Sequence, residues 1–297
     1  METVFTMRKY APARMAIEFS PAAWHSDREA TLARHIAHGA EVAERLHPLK
    51  DVRYGPGPLQ TMDIFPARTK DSPLCIALHG GLWNVSDKRA FLFLGERLAE
   101  VGMGYFVINF DMCPAIDIEG IIKQVRDATA WIHREADKYQ CDPMQIYVFG
   151  HATGAHLGAA LLTCDWEAYP GFKSSALRGS LLVSGLYDLR YFTELPINKT
   201  LRLTPESAAR CSPLLEQIHV KSPIAISAAA NETPEFIAQT QDMAVAAVRA
   251  GVPTNFRVLP DCGHFDILDT LLRPDSVLFS DFMSLVKQAG NRRGERA

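Results

Sequence analysis

The stretch QIYVFGHATGAHLGAALL, residues 145–162, constrains the fold of this chain more than any other. A short apolar run at 146–149 meets Gly150, and a helix rich in alanine, glycine and leucine begins within about three residues. A strand that passes so directly into a helix needs a sharp turn, and small residues permit one. Such a join lifts the residue at its apex above the end of the strand, beside the helix N-terminus.

The rest of the chain repeats this rhythm. Short apolar runs at 74–78, 105–110, 181–184, 224–228 and 255–259 read as strands. Helical patterns fall between them at 90–101, 118–138, 153–163 and 235–250, with a last helix at 276–288. Continuous apolar strands alternating with helices predict a mostly parallel α/β sheet, covered on both faces. Ahead of it, DVRYGPGPLQTMDIFP predicts an antiparallel hairpin over 51–66. Residues 1–50 form an N-terminal helical arm, with Leu32, Ile36, Ala40, Ala43 and Leu46 at helical spacing in 27–46. Residues 51–297 form the main domain, and its segment 185–222 is an excursion expected over the C-terminal strand ends, where α/β sites lie.

Composition narrows the function. A formal charge of −3 argues against a nucleic-acid partner, and no apolar run reaches membrane-spanning length. The cysteines at 75, 113, 141, 164, 211 and 262 form no CxxC pair, so they read as reduced thiols in a cytoplasmic protein. There is no HExxH motif or close His/Cys cluster, so no metal or other cofactor is expected. The sequence leaves the oligomeric state open, a homodimer included.

The turn reads Gly150-His151-Ala152-Thr153-Gly154. It has the G-x-S-x-G form of a nucleophile elbow, except that alanine occupies the apex. A methyl group cannot attack a carbonyl. The remaining machinery looks complete. His79-Gly80-Gly81-Leu82-Trp83 follows the strand at 74–78, where an oxyanion donor is expected. Gly81 is the preferred donor, with Leu82 or Gly80 as alternatives, and the N–H of Thr153 supplies the second. His79 reads as a loop organiser. Trp83 reads as a pocket wall or a core residue, and His151 as a pocket helper.

His264 follows the last strand in LPDCGHFDILD, the place of the general base. The arm histidines His25, His35, His38 and His47 lack that context. Glu232, in the loop after 224–228, is the preferred orienting acid, with Asp188 as runner-up, then Asp261 and Asp266, the last also a candidate for shaping the pocket.

Together these segments resemble the kynurenine formamidase (arylformamidase) group of α/β-hydrolases. The likeness rests on YGPGPLQTMDIFP, HGGLW at 79–83, GHATGAH at 150–156, SGLYDLRYF at 184–192, NETPEF at 231–236 and LPDCGHFDIL at 259–268. It implies an α/β-hydrolase fold and hydrolysis of an N-formyl or N-acyl arylamine or a small-acyl ester, with an aromatic or heteroaromatic small molecule as substrate. It places the family's serine at Ala152, its acid at Glu232 and its histidine at His264. Two departures matter: Ala152 removes the nucleophile and with it the expected activity of this chain, while a glutamate at 232 where aspartate is usual and the 111–117 loop point away from N-formyl-kynurenine itself. The favoured reading is a serine hydrolase inactivated by replacement of its nucleophile. The alternatives are a natural non-hydrolytic relative, either a lyase or oxygenase-like enzyme using His264 as base or a ligand-binding protein, and a chain in which Thr153 substitutes.

Overall fold

In the computed structural model, residues 5–20 and 28–294 are described, with side chains through residue 288. His25 and the start of the arm helix expected at residue 27 lie outside them. The arm contains α1 (Pro12–Glu18) and α2 (Arg28–Leu46). After it come β1 (Leu49–Arg53), β2 (Thr61–Phe65), β3 (Ser72–Leu78), α3 (Leu94–Glu100), β4 (Gly104–Ile108) and α4 (Ile118–Glu135). Next are β5 (Cys141–His151), α5 (Thr153–Leu162), β6 (Leu177–Val183), α6 (Asn198–Leu201) and α7 (Pro205–Arg210). The chain finishes with β7 (Ile224–Ala229), α8 (Pro234–Arg249), β8 (Thr254–Leu259) and α9 (Val277–Gly294).

The strands form one eight-stranded sheet in the order β1-β2-β4-β3-β5-β6-β7-β8. β1 and β2 are the expected hairpin, and β2 also runs antiparallel to β4; every later pairing is parallel. Alternation along the central strands explains the two covered faces. Leu74, Ile76 and Leu78 of β3 join Ile146 and Val148 of β5 in a core with α4, α5 and α8. The intervening Cys75, Ala77, Tyr147 and Phe149 join a second core with α2, α3 and α9. This is the α/β-hydrolase fold. All six cysteines are buried free thiols. Among the described residues no helix is long and apolar enough to cross a membrane.

Two expectations need correction. The helix expected over 90–101 divides into a 3₁₀ turn, Lys88–Phe91, and α3. The Asp87 side chain accepts the N–H of Arg89 and starts the shorter turn. In α2, the buried face is Thr31, His35, Gly39, Val42 and Ala43, whereas Ile36 is 38% exposed. The face is rotated from the apolar stripe because one end of α2 closes a cavity rather than a core.

Candidate active site

Close packing makes the elbow. A Cβ on Gly154 would run into the carbonyl of Leu78, and one on Gly150 into the backbone of Gly154. Only glycines let α5 start this close to β3 and β5. The turn is thereby forced onto Ala152, at φ 54° and ψ −122°, a conformation that side-chain-bearing residues rarely adopt. Its N–H donates to Val183 O at 2.9 Å, which ties the apex to β6. Gly80 lies directly over the apex: a Cβ there would sit 3.0 Å from the Ala152 methyl.

The loop after β3 is left-handed at three successive residues, Gly81 (φ 120°), Leu82 (φ 50°) and Trp83 (φ 58°). Asn84 and Val85 both donate to Gly81 O, at 3.1 and 3.0 Å. His79 organises the loop as expected. Its Nδ1 bonds to Gly80 O at 2.8 Å, its Nε2 lies 3.1 Å from the Asn109 side chain, and its ring stacks on Phe110. Among the described residues the N–H groups of Gly81, Leu82 and Thr153 donate to no other group. The first residues of a helix have no intrahelical acceptor, so Thr153 suits an oxyanion donor.

His264 and Glu232 are brought together. His264 Nδ1 lies 2.5 Å from Glu232 Oε1, and Ala229 N–H donates to Oε2 at 3.0 Å. Both side chains are almost wholly buried. With Nδ1 donating to the carboxylate, the neutral ring carries its lone pair on Nε2. Phe236 and Phe265 pack against the imidazole edge-on, at 4.8 and 4.9 Å between centroids. His151 lies at 4.8 Å and donates from Nε2 to His264 O at 2.7 Å. Burial, reinforced by the neighbouring His264, holds the His151 imidazole well below its ordinary range, so this ring is neutral.

Ala152, Thr153, Gly81, Leu82, His151 and His264 all line one cavity of about 110 Å³. Three sequence candidates are elsewhere. Trp83 does not wall the cavity. Positive φ at residues 82 and 83 turns its ring onto His156 and Phe192, where it is 1% exposed and donates to His156 Nδ1 at 3.3 Å. Asp266 is withdrawn from the wall, because its carboxylate accepts Gly263 N–H at 2.7 Å at the head of a 3₁₀ turn. Asp188 is paired with Arg190 at 2.7 Å and does not reach the base. Of the excursion 185–222, only Leu186 lines the cavity among the described residues.

The arm was expected to shape the pocket, but the α2 residues that do so were not singled out in the sequence. Arg28, Thr31, Leu32 and His35 line the cavity at i, i+3, i+4 and i+7 spacing. That spacing was a readable signal, but it runs through polar residues, which an apolar count passes over.

Comparison with known proteins places the chain among hydrolases of this fold. The BD-FAE family model matches residues 62–169. A kynurenine formamidase of Salmo salar is 30% identical over 87% of this chain and 90% of its own length. The chain belongs to the α/β-hydrolase family that contains these enzymes. A kynurenine formamidase of Danio rerio is 28% identical over 92% of this α/β-hydrolase and 95% of its own length. Among solved structures, esterase B of Lactobacillus rhamnosis superposes with a TM-score of 0.71 at 17% identity, covering 92% of this chain and 99% of that one, a likeness of fold. General esterase or amidase character follows from these relationships.

Proposed function

We propose that this site is built to hydrolyse an N-formyl or N-acyl arylamine, or a small-acyl aryl ester, through a serine nucleophile at position 152. As it stands, with Ala152, the chain binds such a substrate and turns it over slowly or not at all. The observation that supports this reading best is the buried His264–Glu232 pair at 2.5 Å, on the wall of a cavity that also contains the elbow apex. A tautomer-fixed imidazole on the wall of a cavity beside a strained turn counts against a pure scaffold.

In the serine-bearing form, His264 takes the hydroxyl proton as oxygen attacks the carbonyl carbon. The N–H groups of Gly81 and Thr153 hold the oxyanion, each contributing about 2.7–4 kcal/mol to transition-state stabilisation. His264 then gives its proton to the departing amine or alcohol. Water, activated by the same imidazole, releases the acid and restores the serine. Glu232 holds the ring and offsets the imidazolium charge. The cavity's limited volume favours a short acyl group. The relatives named kynurenine formamidase support an aryl amide as substrate.

The test is A152S, assayed with aryl esters of short acids and with N-formyl anilines. The expected result is a rise in kcat of at least about 10³-fold over the chain as it stands, with a pre-steady-state burst on activated esters. No gain across the panel would end the serine-hydrolase reading.

A further inference from the structure

The arm buries a carboxylate where its own helix gives no reason for one. Glu18 is the last residue of α1, the end of a helix that disfavours negative charge, yet it is 1% exposed. Its Oε1 meets Arg14, one turn back. Its Oε2 reaches out of the arm and accepts Glu235 N–H at 3.0 Å. That N–H belongs to the first turn of α8, which has no intrahelical acceptor, so Glu18 completes the helix start from another segment. An ionised acceptor holds an N–H about twice as strongly as a neutral one, which makes the hold stiff. The main-chain oxygen of Glu18 also accepts the hydroxyl of Thr233, the N-cap of α8, at 2.7 Å. One arm residue therefore grips both Thr233 and Glu235. The gripped segment is the one that carries the orienting acid. Glu232 stands immediately before Thr233, with its carboxylate 2.5 Å from His264 Nδ1. Phe236 stands immediately after Glu235 and packs edge-on against the imidazole. The Glu235 carboxylate is itself taken by Arg8, Tyr10 and Gln239, so it is not available to the site.

We propose that Glu18 is a positioning residue for the His264–Glu232 pair. Its hold on Thr233 and Glu235 sets where the Glu232 carboxylate stands, and the arm is thereby part of the working site. A misplacement of about 1 Å, caused by a change away from the chemistry, can cost about 10²-fold in rate. Glu18 touches neither substrate nor reacting atoms; it acts through Glu232. Its effect on rate rests on the proposed hydrolase reading. Its effect on the hydrogen bond between imidazole and carboxylate does not.

The experiment has a spectroscopic arm and a kinetic arm. In the chain as it stands, the short hydrogen bond at His264 Nδ1 is expected to give a far-downfield proton resonance, which E232Q removes and so assigns. E18M keeps the length of the side chain without its oxygens and is expected to shift or broaden that resonance. E18Q keeps an acceptor for Glu235 N–H and retains it. G102A, which has open space around the added methyl and lies beside the start of β4, leaves it in place. In the A152S background, E18M is expected to lower kcat about tenfold with KM within about twofold. Once E232Q is also present, E18M costs less than about twofold more, because both changes act on one link. If E18M does not fold, T233V removes the companion bond and is expected to repeat the pattern. No such resonance in the parent chain, an unmoved resonance in folded E18M or T233V, or an equal kcat loss in both backgrounds overturns the proposal and leaves Glu18 as a fastening of the arm. If A152S restores no hydrolysis, the hydrolase reading falls and the resonance alone decides the role of Glu18.

Discussion

Replacement of Glu232 by glutamine tests the orienting acid with the smallest change in shape. The two carboxylate oxygens have separate duties: Oε1 faces His264 Nδ1 at 2.5 Å, and Oε2 accepts Ala229 N–H at 3.0 Å. Both partners are donors held in place by β7 and by the loop after β8. A carboxamide offers one acceptor oxygen and one NH₂, so either orientation sets a donor against a donor. If the NH₂ meets Ala229, a buried N–H is orphaned at a cost of about 1–3 kcal/mol. If it meets His264, the ring must place its lone pair on Nδ1 and its proton on Nε2, the tautomer that cannot accept from a nucleophile. E232Q in the chain as it stands should therefore lose about 1–3 kcal/mol in urea unfolding. In the A152S background, E232Q should lower kcat by about 10³–10⁴-fold with little change in KM. An E232Q, A152S double variant within about tenfold of A152S would refute Glu232 as orienting acid.

Three further outcomes are expected. Stability should fall as pH drops from about 6.5 towards 4. Burial holds His156 down at about 4, with its Nδ1 accepting from Trp83 and its Nε2 donating to Cys211 O. Because the folded pKa lies below the unfolded one, the unfolded chain takes up the proton first; His156 alone removes roughly 2 kcal/mol by pH 5 and nothing above 7. His79 and His151 shift in the same direction through burial, so a urea midpoint unchanged between pH 7 and 5 would contradict this account. G154A should cost more than about 3 kcal/mol or prevent folding, because its methyl meets backbone rather than a movable side chain. By contrast, G102A, at φ 76° with open space around it, should cost only about 1–2 kcal/mol, and similar losses for the two would discount the steric argument. R8M should lower stability by about 1–3 kcal/mol and speed proteolysis within residues 5–20. Arg8 is 2.7 Å from the wholly buried Glu235 and 2.7 Å from Asp242, and so fastens the arm to α8; unchanged cleavage would show that the arm is held by its apolar contacts instead.

The strands and most helices were legible because their patterns are set by burial, and burial is a property of single residues in order. Leu74, Ile76 and Leu78 against Cys75 and Ala77 need no knowledge of partners to be read as a strand buried on both faces. Glu232 and His264 were legible for a different reason: this topology puts the ends of β7 and β8 side by side, so loop position alone brings them together. What stayed hidden depends on backbone torsions and on cavities. Nothing in the letters HGGLW says that Leu82 and Trp83 both turn left-handed, and that pair of angles sends the indole to His156 instead of the pocket. Asp188 competed with Glu232 until Arg190, two residues away, was seen to hold it. The buried face of α2 was misplaced because an apolar count assumes that buried means greasy, whereas Thr31 and His35 are buried against a cavity.

The backbone at Ala152 is held in a strained conformation that the residue itself does not demand. Its torsions cost an alanine about 1–3 kcal/mol, and the methyl gains nothing that a relaxed turn would deny it. The strain must therefore be imposed from outside the residue. Gly150 and Gly154 impose it, since each packs so closely on its neighbours that the chain between them has one path left. The N–H of Ala152 is fixed to Val183 and its carbonyl receives Ala155 and His156, so neither side of the turn can rotate to release it. The apex is consequently independent of what the apex residue does. A152S is therefore expected to leave the backbone of the elbow as it is. A152S thus tests the proposed chemistry with the least change to the backbone around it.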